Sequence, residues 1–254
     1  MAAKAVGVAV VIPAKDEAAR IAATVASAHD IAGVDIVLVV DDGSTDDTRL
    51  VARDAGATVV VHERNRGKAR AMQTGADIVA RLDRLRAADG SLPRAMLFVD
   101  ADLAESAVHS APLIEPVLTG ATDMSIALLP RQQQVAGGHG RVVALARAGI
   151  VRATGWTPAQ PLSGIRCLTR EAFDAAAPLA AGWGVETGLT IDLLRRGFQV
   201  AEVPCELFHR VSGADLAGRL HRAGQYRDVA RALAARGLLD LRPARGWNAL
   251  PSRS

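Results

Sequence analysis

Apolar residues in this chain fall into short unbroken runs. "VGVAVVIP" (6–13) is a β-branched run stopped by proline, the pattern of a strand buried on both faces. "VDIVLVV" (34–40), "ATVVVH" (57–62), "RAMLFVDAD" (94–102), "ATDMSIALLP" (121–130) and "FQVAEVPC" (198–205) repeat the pattern. Between them lie stretches of mixed polarity that read as helices: about 17–29, about 44–56 with a Ser/Asp start and Gly56 at its end, 65–85, 142–155, about 185–196 and about 214–236. Short strands alternating with helices of about ten to fifteen residues predict a mostly parallel central sheet, right-handed crossovers and flanking helices. The first half is therefore expected to be a doubly wound α/β layer.

Composition sharpens this picture only slightly. With 254 residues, half of them hydrophobic and 3% aromatic, the chain can bury a sizeable aliphatic core within one domain. Residues 1–213 carry the strand–helix alternation, and 214–254 read as a basic amphipathic helix with a loose tail. The formal charge of +3 is spread along the chain, which argues against a nucleic-acid-binding arm. Cys167 and Cys205 lack metal-ligand spacing and read as buried thiols of a cytoplasmic protein. The opening apolar run is a strand rather than a signal peptide, and no segment has the length of a membrane span.

The chemistry is expected where parallel strands end, because open α/β sheets bind ligands at the carboxyl ends of their strands. There the chain reads "PAKDE", "DDGSTDD" and "DAD". Asp100 and Asp102, one residue apart in an extended segment, would project to one side at about 6–7 Å spacing along the backbone. Such a pair suits a shared divalent ion, since Mg²⁺ takes one or two carboxylates together with substrate phosphates. Burying the pair without a cation would be costly. In "DDGSTDDT", Gly43 makes a turn, Ser44 or Thr45 caps a helix, and Asp46 and Asp47 complement its dipole. That leaves Asp41 and Asp42 at the strand end, where a carboxylate could accept from the N–H groups of a uracil or guanine.

Six segments, "VVIPAKDEAARI", "VLVVDDGSTDDT", "NRGKARAMQTGA", "LFVDADL", "PLSGIRCLTREAF" and "GWGVETGLTIDLLRRGFQVAEVP", resemble in content and order the family 2 glycosyltransferases of the GT-A fold. The similarity covers roughly residues 6–210 and extends to the dolichyl-phosphate mannosyltransferase-like and glucosyl-3-phosphoglycerate synthase branches. The resemblance implies a hexose donor in the form of a UDP- or GDP-sugar, and Mg²⁺ or Mn²⁺ as cofactor. It implies that Pro13, Ala14, Glu17, Asp42, Ser44, Lys68, Asp100 and Ala101 bind the donor nucleotide. Asp100, Asp102 and His209 are the implied metal ligands, and Asp102 and Glu186 the implied catalytic residues, with Glu186 beside the sugar or acceptor. Arg141, Ser163 and Arg166 are candidates for holding an anionic acceptor, since arginine offers a bidentate fork to phosphate. Ala104 departs from the mannosyltransferase-like pattern, which places a polar residue there.

Competing readings remain at this stage. A phosphatase of the Asp-x-Asp type would want Thr or Val at position 104 and its motif near the N-terminus. A sugar-nucleotide pyrophosphorylase would want a Gly-rich basic loop where "PAKDEAAR" stands, and a non-catalytic nucleotide-sugar binder would keep the pocket without turnover. In the last long helix Leu216, Leu220, Ala223, Val229 and Leu233 fall near one face, and Arg219, Arg222, Arg227 and Arg231 largely elsewhere. That pattern is expected to pack on the core or on a second subunit as a homodimer, with peripheral contact to an anionic membrane as the alternative.

Overall fold

The computed structural model describes residues 7–87, 92–130, 140–207 and 216–239, the side chains of 216–222 excepted. Seven strands among these residues form one sheet: β1 (Val8–Ala14), β2 (Val34–Asp41), β3 (Thr58–Val61), β4 (Ala95–Phe98), β5 (Met124–Leu128), β6 (Arg166–Leu168) and β7 (Val200–Pro204). Their order across the sheet is β3-β2-β1-β4-β6-β5-β7. All pairings are parallel except those of β6, which runs antiparallel to both β4 and β5. This strand departs from the apolar-run pattern because it has three residues and begins with an arginine.

The central strands sort their side chains by parity, as the period of two requires. Val8, Val10 and Ile12 of β1 join one core with α1 (Ile21–His29), α2 (Thr48–Asp54), a 3-10 segment (Ala104–Leu113) and α4 (Ile114–Leu118). Ala9 and Val11 face the opposite core, closed by α3 (Lys68–Arg86), α6 (Arg170–Ala175) and α7 (Val185–Arg195). At Gly75, α3 lies so close to β1 that an added Cβ would fall 2.4 Å from Val11 Cγ1.

Two helices begin later than their patterns suggest, for one shared reason. The amides of Glu17 and Ala18 bond Thr48 Oγ1 (2.8 Å) and Asp46 Oδ2 (3.1 Å), so residues 17–20 form turns and α1 starts at Ile21. Ser44 and Thr45 are likewise spent on Asp16, which moves the start of α2 to Thr48.

A third layer packs α5 (Arg141–Thr154) and α8 (Leu216–Ala234) against α7. Val229 and Leu233 are buried among Val142, Ala146, Ile150 and Ile191, each such burial contributing about 1.5–3 kcal/mol. Gly149 leaves room for Leu233, since an added Cβ would sit 2.3 Å from its Cδ2. Arg236 Nε donates to Asp192 Oδ1 at 2.8 Å. The second half of α8 thus docks on the core, while Arg227 and Arg231 are 63% and 66% exposed. Ala223 is also exposed, and the side chains of Leu216, Arg219, Leu220 and Arg222 lie outside the described residues. No helix among the described residues is long and apolar enough to cross a membrane.

Candidate active site

The strand register brings three loops to one edge. Ala14 pairs with Asp41, Asp41 with Val61, and Val11 with Phe98, so Asp42, His62 and the segment after Phe98 emerge side by side. The first two loops are laced together. Asp16, with φ of +54°, donates its amide to Ser44 Oγ (2.9 Å) and accepts from the Thr45 amide (2.7 Å) and hydroxyl (3.1 Å). The Ser44 amide donates to Asp41 Oδ1 at 3.0 Å. The Lys15 ammonium, followed by the Thr45 donors, lowers the Asp16 pKa to about 2. Pro13, Ala14, Glu17 and Ser44 therefore belong to a pre-shaped rim at the tips of β1 and β2.

Asp42 has a different setting from an open base-facing carboxylate. It is 5% exposed, and it accepts from the Arg66 amide (2.9 Å) and the Gly67 amide (2.7 Å) while contacting His62 Nδ1 at 2.6 Å. These bonds tie the loop before α3 to β2. Gly43 lies flat against that loop, its virtual Cβ only 2.6 Å from the Arg64 carbonyl carbon, and its φ of +73° suits glycine.

Lys68, the first residue of α3, reaches across the sheet edge. Its Nζ lies 2.7 Å from Asp100 Oδ1 and 3.1 Å from Glu186 Oε1. Burial opposes its charge, but the Asp100 and Glu186 carboxylates outweigh that cost and hold the ammonium pKa above the ordinary lysine range. The seat is closed by Gly164, where an added Cβ would fall 2.4 Å from Lys68 Nζ and 3.1 Å from both Asp100 oxygens. Antiparallel β6 explains why Gly164 is there. Arg166 pairs with Phe98, so the residues just before β6 meet the residues just after β4.

The Asp-x-Asp segment is bent rather than extended. β4 ends at Phe98, Ala101 and Asp102 form a turn, and Ala104 has φ of +49°. Thr24 of α1 makes the bend by donating its hydroxyl to the Ala101 carbonyl (2.8 Å) and accepting from the Ala104 amide (2.8 Å). The i, i+2 spacing of an extended chain thus gives way to a turn imposed by α1. Asp100 and Asp102 are partly exposed at this turn and offer the hard oxygen donors that Mg²⁺ and Mn²⁺ take. Among the described residues no group of three or more His, Cys, Asp or Glu converges, and His209 lies outside them. Two protein carboxylates with the remaining positions left to phosphate and water match the way Mg²⁺ is commonly held, so the residues present fit such an ion.

The arginines separate into two kinds. Arg141 is exposed at the first position of α5, and residues 135–139 of the glycine-rich loop before it lie outside the described residues. Arg166 is 1% exposed, which does not match an acceptor-facing guanidinium. It donates to the Ser163 carbonyl (2.8 Å), the Glu186 carbonyl (3.0 Å) and Thr190 Oγ1 (2.8 Å). Burial lowers its pKa to about 10, against the opposing pull of Glu186, Glu202 and Asp100, so it stays charged at neutral pH. Ser163 Oγ, Arg166 Nη2 and Thr187 Oγ1 are buried without a hydrogen-bond partner among the described residues. Buried polar atoms normally find partners, so this group beside Gly164 and Glu186 suits a polar ligand. Thr24, His62, Gly164 and Thr187 have no signature in the chain's pattern; only their neighbours in space give them a role.

The mixed sheet, its acidic strand tips and the lysine-bridged carboxylates define an α/β fold of the GT-A, nucleotide-diphospho-sugar transferase type. Residues 9–143 match the family Glycosyl transferase family 2, and the chain belongs to that family. It is 30% identical to Glycosyltransferase AglJ of Haloferax volcanii over 216 residues, covering 82% of this chain and 65% of that protein. It is 32% identical to the glucosyl-3-phosphoglycerate synthase of Mycobacterium tuberculosis over 204 residues, covering 74% of this chain and 61% of that protein. The chain thus spans under two thirds of the length of these curated relatives. A crystal structure of the M. tuberculosis synthase in complex with Mn²⁺, UDP-glucose and phosphoglyceric acid superposes with a TM-score of 0.67 at 28% identity, over 92% of this chain and 81% of that one.

Proposed function

We propose that this chain is a metal-dependent hexosyltransferase that moves a hexose from a nucleoside diphosphate sugar, UDP-glucose first among donors, to a phosphate-bearing acceptor of the phosphoglycerate kind. The observation that carries the reading is Lys68 held between Asp100 and Glu186 at the sheet's carboxyl edge, which sets a cation and two carboxylates where a sugar diphosphate would bind. The synthase complex with Mn²⁺, UDP-glucose and phosphoglyceric acid supports the choice of donor and acceptor.

In this reading the rim formed by Pro13, Ala14, Glu17 and Ser44 receives the nucleotide base. Asp42 serves that site by holding the loop that leads into Lys68. Asp100 and Asp102, with His209 as third ligand, would hold Mg²⁺ or Mn²⁺, which when bound neutralises charge on the diphosphate. Ala101 contributes backbone at the same turn. Lys68 adds a second positive charge that needs no reorganisation, the kind of preformed electrostatics that dominates many transfer reactions. Glu186, 6% exposed and paired to Lys68, is placed to orient a sugar hydroxyl or accept the acceptor's proton. Arg141 would hold the acceptor's anionic group, and Ser163, next to Gly164, would offer its unpartnered hydroxyl.

A thermal-shift panel tests the donor assignment. UDP with Mn²⁺ at a hundred times its dissociation constant should add about 2.7 kcal/mol of stability. A shift that survives chelation of the metal, or no shift with any nucleoside diphosphate, would count against the proposal.

A further inference from the structure

His62 lies just beyond β3, on the far side of β2 from Asp100, and contributes no atom to the rim described above. It is nevertheless 7% exposed, and each of its ring nitrogens has a side-chain partner. Nδ1 is 2.6 Å from Asp42 Oδ1 and Nε2 is 3.0 Å from Thr74 Oγ1. The neutral tautomer with its proton on Nδ1 satisfies both contacts, donating to the carboxylate and accepting from the threonine hydroxyl.

Both partners lead to α3. Thr74 is part of that helix, and Asp42 receives the amides of Arg66 and Gly67 immediately before it. Gly67 is the N-cap of α3. Its φ of +87° is available to glycine, and its carbonyl accepts from the amides of Arg70 (3.0 Å) and Ala71 (3.1 Å). The imidazole thus grips one helix at two points, directly through Thr74 and through Asp42 at the helix start. Lys68 follows the second point by one residue, and its ammonium must span the gap to Asp100 and Glu186. A sliding or tilting of α3 would be felt first at that lysine.

From this two-point grip we infer that His62 is a positioning residue for donor binding, acting through Asp42 and Thr74 to set α3 and the reach of Lys68. The inference rests on the donor-site reading above, and its test separates the two. His62→Leu removes both ring contacts, His62→Asn keeps an amide donor able to replace Nδ1–H, and Thr74→Val removes only the direct contact of the ring with α3. Two quantities are measured on the full chain: hydrogen exchange of the Arg66 and Gly67 amides relative to Val79 further along α3, and the affinity for UDP with Mn²⁺.

His62→Leu is expected to speed exchange at Arg66 and Gly67 and to weaken UDP–Mn²⁺ binding, each by about tenfold, the scale of one hydrogen bond to a charged group. His62→Asn should return both quantities to within about threefold of wild type. Should His62→Leu not fold, Thr74→Val carries the test, with exchange at Gly67 expected to rise while Val79 stays unchanged. Wild-type exchange at Gly67 in either variant would overturn the grip. Equal losses in the Asn and Leu variants would reduce His62 to packing and overturn its positioning role. A wild-type chain that fails to bind UDP would instead overturn the donor reading, with the exchange measurements still deciding the grip.

Discussion

Replacing Gly164 with alanine presses directly on the seat of Lys68. The new Cβ would lie 2.4 Å from Lys68 Nζ and 3.1 Å from both Asp100 oxygens. Comfortable contact needs about 3.5 Å, so the ammonium must retreat by about 1 Å. Its bonds of 2.7 Å to Asp100 and 3.1 Å to Glu186 cannot both survive such a shift. Misplacement on this scale can cost about a hundredfold in rate, equivalent to about 2.7 kcal/mol of transition-state stabilisation. Thermal stability should fall by less than in Lys68→Met, because the displaced atom is the far end of a flexible side chain and can keep one of its two ion pairs. Gly149→Ala is the matched control. Its Cβ collides with Leu233 at 2.3 Å, deep between α5 and α8, and should cost about 1–3 kcal/mol of stability with kcat/KM unchanged. The assay pairs steady-state transfer kinetics with thermal unfolding of both variants. Wild-type kcat/KM in Gly164→Ala would refute the argument that Lys68 must occupy this seat.

Further outcomes follow from the same geometry. Arg166→Lys should lose about 2–3 kcal/mol in denaturant unfolding, because the acceptors at Ser163 and at Glu186 and Thr190 are served by two different guanidinium nitrogens, a spread that one ammonium nitrogen lacks. The stability gap between wild type and Lys68→Met should be flat from about pH 7 to 10. A lysine whose folded pKa is raised contributes fully below its ordinary value of 10.5, and the contribution is lost only above it. Asp16 has the opposite sign: its lowered pKa contributes above the ordinary 3.8 and is lost as pH falls toward about 2, so Asp16→Asn should remove that part of the acid unfolding curve. Ala104→Gly should leave stability unchanged or raise it by about 1 kcal/mol in thermal unfolding, because φ of +49° strains an alanine.

Much of this molecule could be read from its pattern, for identifiable physical reasons. Parallel strands buried on both faces must be continuously apolar, so β1, β2 and β4 are visible as runs and the acidic residues behind them stand out. β6 is not visible, because three residues led by Arg166 look like surface in an arginine-rich chain. The strand is buried only because it inserts antiparallel between β4 and β5. That insertion also delivers Gly164 to Asp100 and makes Arg166, an expected anion binder, a brace for the start of α7. The bend at Ala101 depends on Thr24, 77 positions away, and Asp42 is buried against His62, just past the neighbouring strand. Pairings of this kind are set by register and packing, which local spacing does not encode.

The central claim is metal-dependent hexose transfer at the Asp100–Lys68–Glu186 site. The direct measurement incubates the chain with UDP-glucose, phosphoglyceric acid and Mn²⁺ and follows UDP release and the glucosylated acceptor by mass spectrometry, beside Asp102→Ala and a chelated control. The account predicts both products in stoichiometric amounts with wild type and metal, and neither in the two controls. Equal product formation by Asp102→Ala, or UDP binding by wild type with neither transfer nor donor hydrolysis, would contradict it.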